Sequence, residues 1–456
     1  MKKIFFYCSC ILCLSFLIAV PPTHELTADF WNSPSFVRSF MGDYGFRSEV
    51  EPKISKSEQS ILQEVVAKAE NQLEDAIIYL EKKMEDKSSA ALHFALGTMY
   101  YQNGRLTRSE ESYNLAIKKF PSFLRAYKNL GFVGLSLGNF ESAAKNLSRS
   151  ISLGEGDGVT YVALGYCHYM RQRFMSAENA YRMGTLLSPD SKYAQNGLVN
   201  CLIETSRFPE ALALLDELLA TQPEDVICHR ARVHALQGLG KEREAAVAME
   251  TLKRMGQLKT QDLLNLGDLY HNLNLYELSL QNYQLAIEKK ERISLHRYVR
   301  AASILMNRAS YEDCFQYLEK IQQLLGSNFT PEDERKVLLL KAEVLQATGQ
   351  TKESTAILRK IVEMHPLEGK ALIMLGRHAW QDKDYVLASL HFERASKIDE
   401  FEAPALIEHG RMMVGIRNYE KAVRLLERAE DIDPQPRISR FLESIRNLLL
   451  TARVRL

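Results

Sequence analysis

The sequence has no excess of charge of either sign. Its 58 Lys and Arg face 57 Asp and Glu, a formal net charge of +1 over 456 residues. So even a balance gives no electrostatic basis for nucleic acid or an anionic membrane surface as a partner. There is no HExxH pair, no Walker A loop, no nucleophile elbow and, after the first twenty residues, no CxxC. The histidines are scattered; His229 and His234 lie five apart, off a common helix face. No catalytic residue, metal site or cofactor is therefore expected. Cysteine is scarce beyond the start: Cys167, Cys201, Cys228 and Cys314. Helices stack about 8–10 Å apart, whereas a disulfide needs α-carbons within about 7 Å, so these four read as small buried apolar residues. Gly154–Gly158 offers two carboxylates and no following Lys-Ser/Thr, which makes it a turn and not a phosphate or calcium loop. No apolar run after Val20 is long enough to cross a bilayer.

The start does carry such a run. Lys2 and Lys3 precede Ile4–Val20, and Pro21-Pro22 ends the stretch. This is the pattern of a secretory signal, and it predicts an extracytoplasmic, periplasmic protein. Ala19 suits a cleavage site and Leu17 does not, so an uncleaved N-terminal anchor is the alternative, and the one route to the membrane that the sequence offers. None of Cys8, Cys10 and Cys13 follows Gly or Ala, which argues against a lipoprotein.

An internal period dominates the rest. Leu96-Gly97, Leu130-Gly131 and Leu164-Gly165 recur every 34 residues, as do Phe140, Phe174 and Phe208, and Ala143, Ala177, Ala211 and Ala245. The step slips between Ala301 and Ala342, which implies a seven-residue insertion placed in the loop Gly326–Pro331, and then resumes at Gly376 and Gly410. Each period reads as two amphipathic helices. Gly104, Gly138, Gly240 and Gly349 suit the turn between them, and Pro121, Pro189, Pro223, Pro366 and Pro434 close units. One hairpin cannot bury its apolar face alone, so neighbours must stack.

The spacing Leu96, Gly97, Tyr100, Tyr113, Ala116, Pro121 resembles the tetratricopeptide repeat (TPR), as does Tyr161, Leu164, Gly165, Ala177, Tyr181, Pro189. The resemblance implies an all-α TPR solenoid, a right-handed superhelix of antiparallel helix pairs. About ten units are expected over 90–434. A signal peptide or anchor (1–20), an aromatic-rich linker (21–56) and a helical hairpin cap (57–89) precede them, and a capping helix (435–456) follows. The linker holds Phe30, Trp31, Phe36, Phe40, Tyr44 and Phe46. It reads either as a tether packed onto the first helices or as a partner-binding segment.

In such repeats the first helix of each unit lines a concave groove. The resemblance places Phe94 and Tyr101, then Arg125, Lys128 and Phe132, then Tyr166 and Tyr169, then Tyr193, Asn196 and Asn200 on groove positions. It implies a non-catalytic scaffold binding a protein segment there, as part of an envelope machine. The cations would meet acidic groups and the amides a peptide backbone, with the groove side chains only partly buried. An accessory protein binding glycan or cell-wall material is the alternative, because aromatic grooves also stack on sugars.

Overall fold

The computed structural model describes residues 25–41, 49–70, 72–154, 156–289, 291, 294–326 and 330–454. The expected signal or anchor lies outside them, as do Tyr44 and Phe46. Among the described residues all regular structure is helical, and no helix is long and apolar enough to cross a membrane. The chain divides into two compact units, Met1–Gln257 and Leu258–Leu456.

The first unit opens with two short helices, α1 (Ala28–Trp31) and α2 (Pro34–Met41), and a hairpin of α3 (Lys56–Ala69) and α4 (Leu73–Lys83). Five helix pairs follow: α5 (Ala90–Gln102) and α6 (Leu106–Lys119), α7 (Leu124–Ser136) and α8 (Phe140–Ser152), α9 (Gly158–Met170) and α10 (Phe174–Leu187), α11 (Lys192–Glu204) and α12 (Phe208–Thr221), α13 (Val226–Gly238) and α14 (Glu242–Arg254).

The second unit holds five more: α15 (Thr260–Asn272) and α16 (Tyr276–Glu288), α17 (Leu295–Asn307) and α18 (Tyr311–Leu325), α19 (Pro331–Ala347) and α20 (Thr351–Met364), α21 (Gly369–Gln381) and α22 (Tyr385–Ala395), α23 (Glu402–Gly415) and α24 (Tyr419–Ile432). It ends on α25 (Pro436–Val454). Ile438, Leu442 and Ile445 of α25 are buried in one apolar cluster with Ala422, Leu426 and Ala429 of α24, while Leu448 is exposed. One face of the terminal helix thus covers the last pair.

The period has a packing cause. Tyr181 is fully buried between two glycines of neighbouring first helices: a Cβ added at Gly165 would lie 2.8 Å from its ring, and one at Gly197 2.5 Å. Either helix can approach the ring only because it lacks that carbon. The turn inside each pair is equally constrained. Gly104, Gly138, Gly240 and Gly349 have positive φ there, and in the other six pairs Gln172, Ser206, Asn274, Ala309, Lys383 and Arg417 take the same left-handed conformation.

The four cysteines are free and buried, as expected. The seven extra residues are not confined to a loop. Thr330 caps α19, its hydroxyl accepting from the Asp333 N–H (3.1 Å), and Pro331 takes the first helical position. At 17 residues α19 is four longer than α15 or α17, and α18, at 15, is two longer than α16. Most of the insertion therefore extends helices.

Candidate peptide-binding site

The first helices α5, α7, α9 and α11 present an aromatic row, and the chain's own residues 25–41 lie along it. The segment folds itself in part. Ser33 caps α2 by accepting from the Phe36 N–H (3.1 Å), Pro34 stands at the first helical position, and Trp31 Nε1 donates to the Leu26 carbonyl (3.1 Å). Phe36 and Phe40, four apart, share one face of α2. Both are buried, while Val37 on the other side is exposed.

This arm runs from the fourth TPR-like pair back to the first. Phe30 meets Tyr193 of α11 edge-on, with ring centres 5.1 Å apart, and Thr27 Oγ1 lies 2.8 Å from the Tyr193 hydroxyl. Phe36 meets Phe132 of α7 edge-on at 5.1 Å, and Phe40 stacks on Tyr101 of α5 at 4.4 Å. Trp31 closes the row against Phe30 (5.2 Å) and Phe36 (5.1 Å).

The main chain is held as well. Asn129 Nδ2 donates to the Phe40 carbonyl (3.2 Å) and Arg125 Nη1 to the Met41 carbonyl (3.4 Å). These are carbonyls at the C-terminus of α2, which have no partner within the helix. A cation there also meets the negative end of the helix dipole. Arg125 Nε lies 3.3 Å from the Glu51 carboxylate, and the Leu124 N–H donates to the Val50 carbonyl (3.3 Å), so α7 anchors both the end of α2 and the chain's return.

One half-buried carboxylate links arm and seat. Asp157 accepts from the Ser39 hydroxyl (2.5 Å), caps α9 at the Thr160 N–H (2.7 Å) and lies 3.7 Å from Lys128 Nζ. Burial by itself would raise the Asp157 carboxyl. The Lys128 charge and the bonds from Ser39 and Thr160 outweigh it, and the group sits below its ordinary value.

Of the expected groove residues the arm meets Tyr101, Arg125, Phe132 and Tyr193, and several of the expected set are not in the expected state. Phe132 is 0% exposed, Lys128 1%, Arg125 5% and Phe94 6%, where partial exposure was anticipated. The reason is occupancy. For Phe132 the covering groups are Phe36 and Phe40. Phe94 instead belongs to the helix-packing core, with Phe123 at 4.9 Å and the Arg125 guanidinium over its ring at 5.1 Å. The acidic groups that Arg125 and Lys128 meet, Glu51 and Asp157, are the chain's own.

Tyr166, half-buried, edges the same aromatic cluster; burial, and then the Glu25 carboxylate, raise its phenol. Tyr169 meets Glu204 (3.3 Å) and Phe174 (5.5 Å) and packs at the edge of the same cluster. Asn196 accepts from the Cys228 thiol (3.8 Å), and Asn200 is buried. The amide that grips backbone is Asn129, which the groove positions omitted. Its signal was a polar residue beside Leu130 on a helix otherwise set for packing. In the second unit polar inner positions pair between neighbouring first helices: Glu343 with Lys370 (2.5 Å), Arg377 with Glu408 (3.1 Å), and Asp268 with Arg297 (3.6 Å) and Arg300 (3.4 Å). Among the described residues no cluster of metal-ligating side chains occurs.

One family model, described as Tetratricopeptide repeat, matches residues 66–122, 94–159, 162–226 and 339–403, and a second of the same description matches 263–290. The chain belongs to the tetratricopeptide-repeat family. As a TPR protein it has similarity to many solved folds at low identity. A TPR protein from Parabacteroides merdae is 17% identical, with 51% of this chain and 93% of that one covered and a TM-score of 0.38. The C-terminal part of a TPR repeat-containing protein from Cytophaga hutchinsonii is 19% identical (53% and 97% covered, TM-score 0.41). Yeast Tom70 is 13% identical (88% and 97% covered, TM-score 0.35). No curated protein matches in sequence. TPR proteins generally mediate protein–protein interaction, and this chain carries the repeat that does so.

Proposed function

We propose that this TPR protein is a non-catalytic scaffold of the cell envelope that binds protein partners through the first helices of its N-terminal pairs. The observation that carries the reading is the grip on main chain: Asn129 and Arg125 donate to carbonyls of a helical segment while Tyr101, Phe132 and Tyr193 hold its aromatic side chains. A sugar, even an N-acetylated one, offers no two successive main-chain carbonyls at a helix end, and the rings that would stack on one face Phe30, Phe36 and Phe40 instead. The envelope location rests on Lys2-Lys3 and the apolar run Ile4–Val20.

Two experiments test the two halves. Alkaline phosphatase fused after residue 60 should be active; an inactive fusion present at normal level removes export. Photo-crosslinking in intact envelopes of a Phe36→Ala/Phe40→Ala chain, from position 193 and from an outer-helix control, should capture a protein at position 193 alone. Labelling of glycan, or equal capture from both sites, contradicts a protein-binding inner face.

A further inference from the structure

We infer that residues 25–41 are a resident ligand occupying the peptide-binding face of their own chain. The outside partner this face fits is a helical protein segment with two aromatic residues four apart, which must displace the arm. The inference deepens the scaffold reading and rests on it for the existence of a partner.

Four observations carry it. First, α2 has eight residues, and isolated helices shorter than about 12–15 residues are marginal in water. Its own cap is therefore not enough, and the helix needs the seat as well. Second, the arm touches the repeats by one face only. Phe30, Phe36, Ser39 and Phe40 are buried, while Asp29, Ser35, Val37 and Arg38 are exposed. An interior core segment would be covered on both sides. This one lies on the row of first helices as a bound peptide does.

Third, the seat reads two things. Asn129 and Arg125 hold main-chain carbonyls, which any helix ending there supplies. Phe132, Tyr101 and Tyr193 hold rings, which only an aromatic pattern supplies. Asp157 adds a filter. Its carboxylate accepts from the Ser39 hydroxyl, so the partner's residue one before its second aromatic must be small and able to donate, and an acid there is rejected. Fourth, the arm is tied in cis. Arg125 meets both Met41, at its end, and Glu51, where the chain returns to α7. A short intramolecular connection gives an effective concentration of order millimolar, so a competitor with the same contacts is held off without any further interaction.

The test uses a fluorescein-labelled peptide spanning residues 25–41 and the full chain in three forms: parent, Phe36→Ala/Phe40→Ala, and Ser39→Asp. Both variants alter the arm and leave every seat residue intact. In anisotropy titrations the peptide should bind each variant at least tenfold more tightly than the parent, and a peptide carrying Ser39→Asp should bind none of them. Equal affinity for parent and variants, or no binding to a variant that keeps the parent's helical circular dichroism, overturns the inference. Loss of that helical signal in both variants also overturns it, because the arm would then be part of the folding core. A chain that binds the peptide yet captures no envelope protein keeps the resident ligand and removes the scaffold; the converse result removes only the resident ligand.

Discussion

Phe132 is the residue on which arm and repeat array depend together. Its ring is fully buried among Phe36, Phe40 and the packing of α7. Truncation of a buried Phe to Ala costs about 3–5 kcal/mol, so Phe132→Ala should lower the unfolding free energy of the first unit, read by chemical denaturation, by an amount in that range. The same change in a chain lacking residues 1–41 should cost less, since part of the burial is supplied by the arm; equal losses would show that the arm contributes nothing.

Asp157 gives a pH dependence of defined sign. Its folded-state carboxyl lies below the ordinary value. Its contribution is therefore complete above the ordinary carboxylate range and is lost as pH falls through the lowered value. Trp31 emission, read in a Trp380→Phe chain, should shift red in that acid window and stay constant from there to neutral pH. A shift centred near neutrality would mean that another group holds the arm.

Which residues line the face was legible from repeat position for Tyr101, Arg125, Phe132 and Tyr193. Their burial was not, because position within a repeat says which way a side chain points and nothing about what comes to meet it.

At the scale of elements, the turn inside each pair has one requirement ten times over. A residue with positive φ ends each first helix, and six of the ten are not glycine. A non-glycine residue pays about 1 kcal/mol or more for that conformation, partly offset by glycine's greater freedom in the unfolded chain. Ala309→Gly should raise the stability of the second unit by roughly 0.5–1 kcal/mol, and Gly138→Ala should lower that of the first by a similar amount, both read by chemical denaturation. No change at Ala309 would mean the turn is relaxed without glycine.

The helix pairs were readable because glycine, aromatic and alanine recur at fixed offsets, each with a packing cause, as between Gly165 and Tyr181. Two helix starts had local signals that the period hid. Thr330-Pro331 opens α19 and Ser33-Pro34 opens α2, each a capping residue before a proline at the first helical position. Following the 34-residue step past the place where it fails makes the first a loop, and the mix of aromatics with Pro, Ser and Gly makes the second part of a linker.

For the whole molecule, the all-α solenoid class followed from the 34-residue period together with the resemblance to the tetratricopeptide repeat, since stacked hairpins are the way such a pattern buries its apolar faces. The division into compact units at Gln257 and Leu258 has no counterpart in the sequence pattern, where the period runs through that point unbroken from Gly97 to Gly267. That the aromatic segment packs onto the first helices is one of the two readings of the sequence; which residues it meets was illegible for a different reason. The arm lies outside the period and meets residues about sixty to more than 160 positions away, as Phe40 to Tyr101 and Thr27 to Tyr193, and one sequence carries no signal for a contact of that separation. Residues 25–41 lie across the first helices of their own chain. A photoreactive benzophenone side chain in place of Tyr193 tests it most directly, with the cross-linked peptides of the purified monomer identified by mass spectrometry. A link within one chain should form between position 193 and residues 27–31 and be lost in the Phe36→Ala/Phe40→Ala chain; a link from position 193 to other segments alone, or one unchanged in that variant, would show that the arm does not lie there.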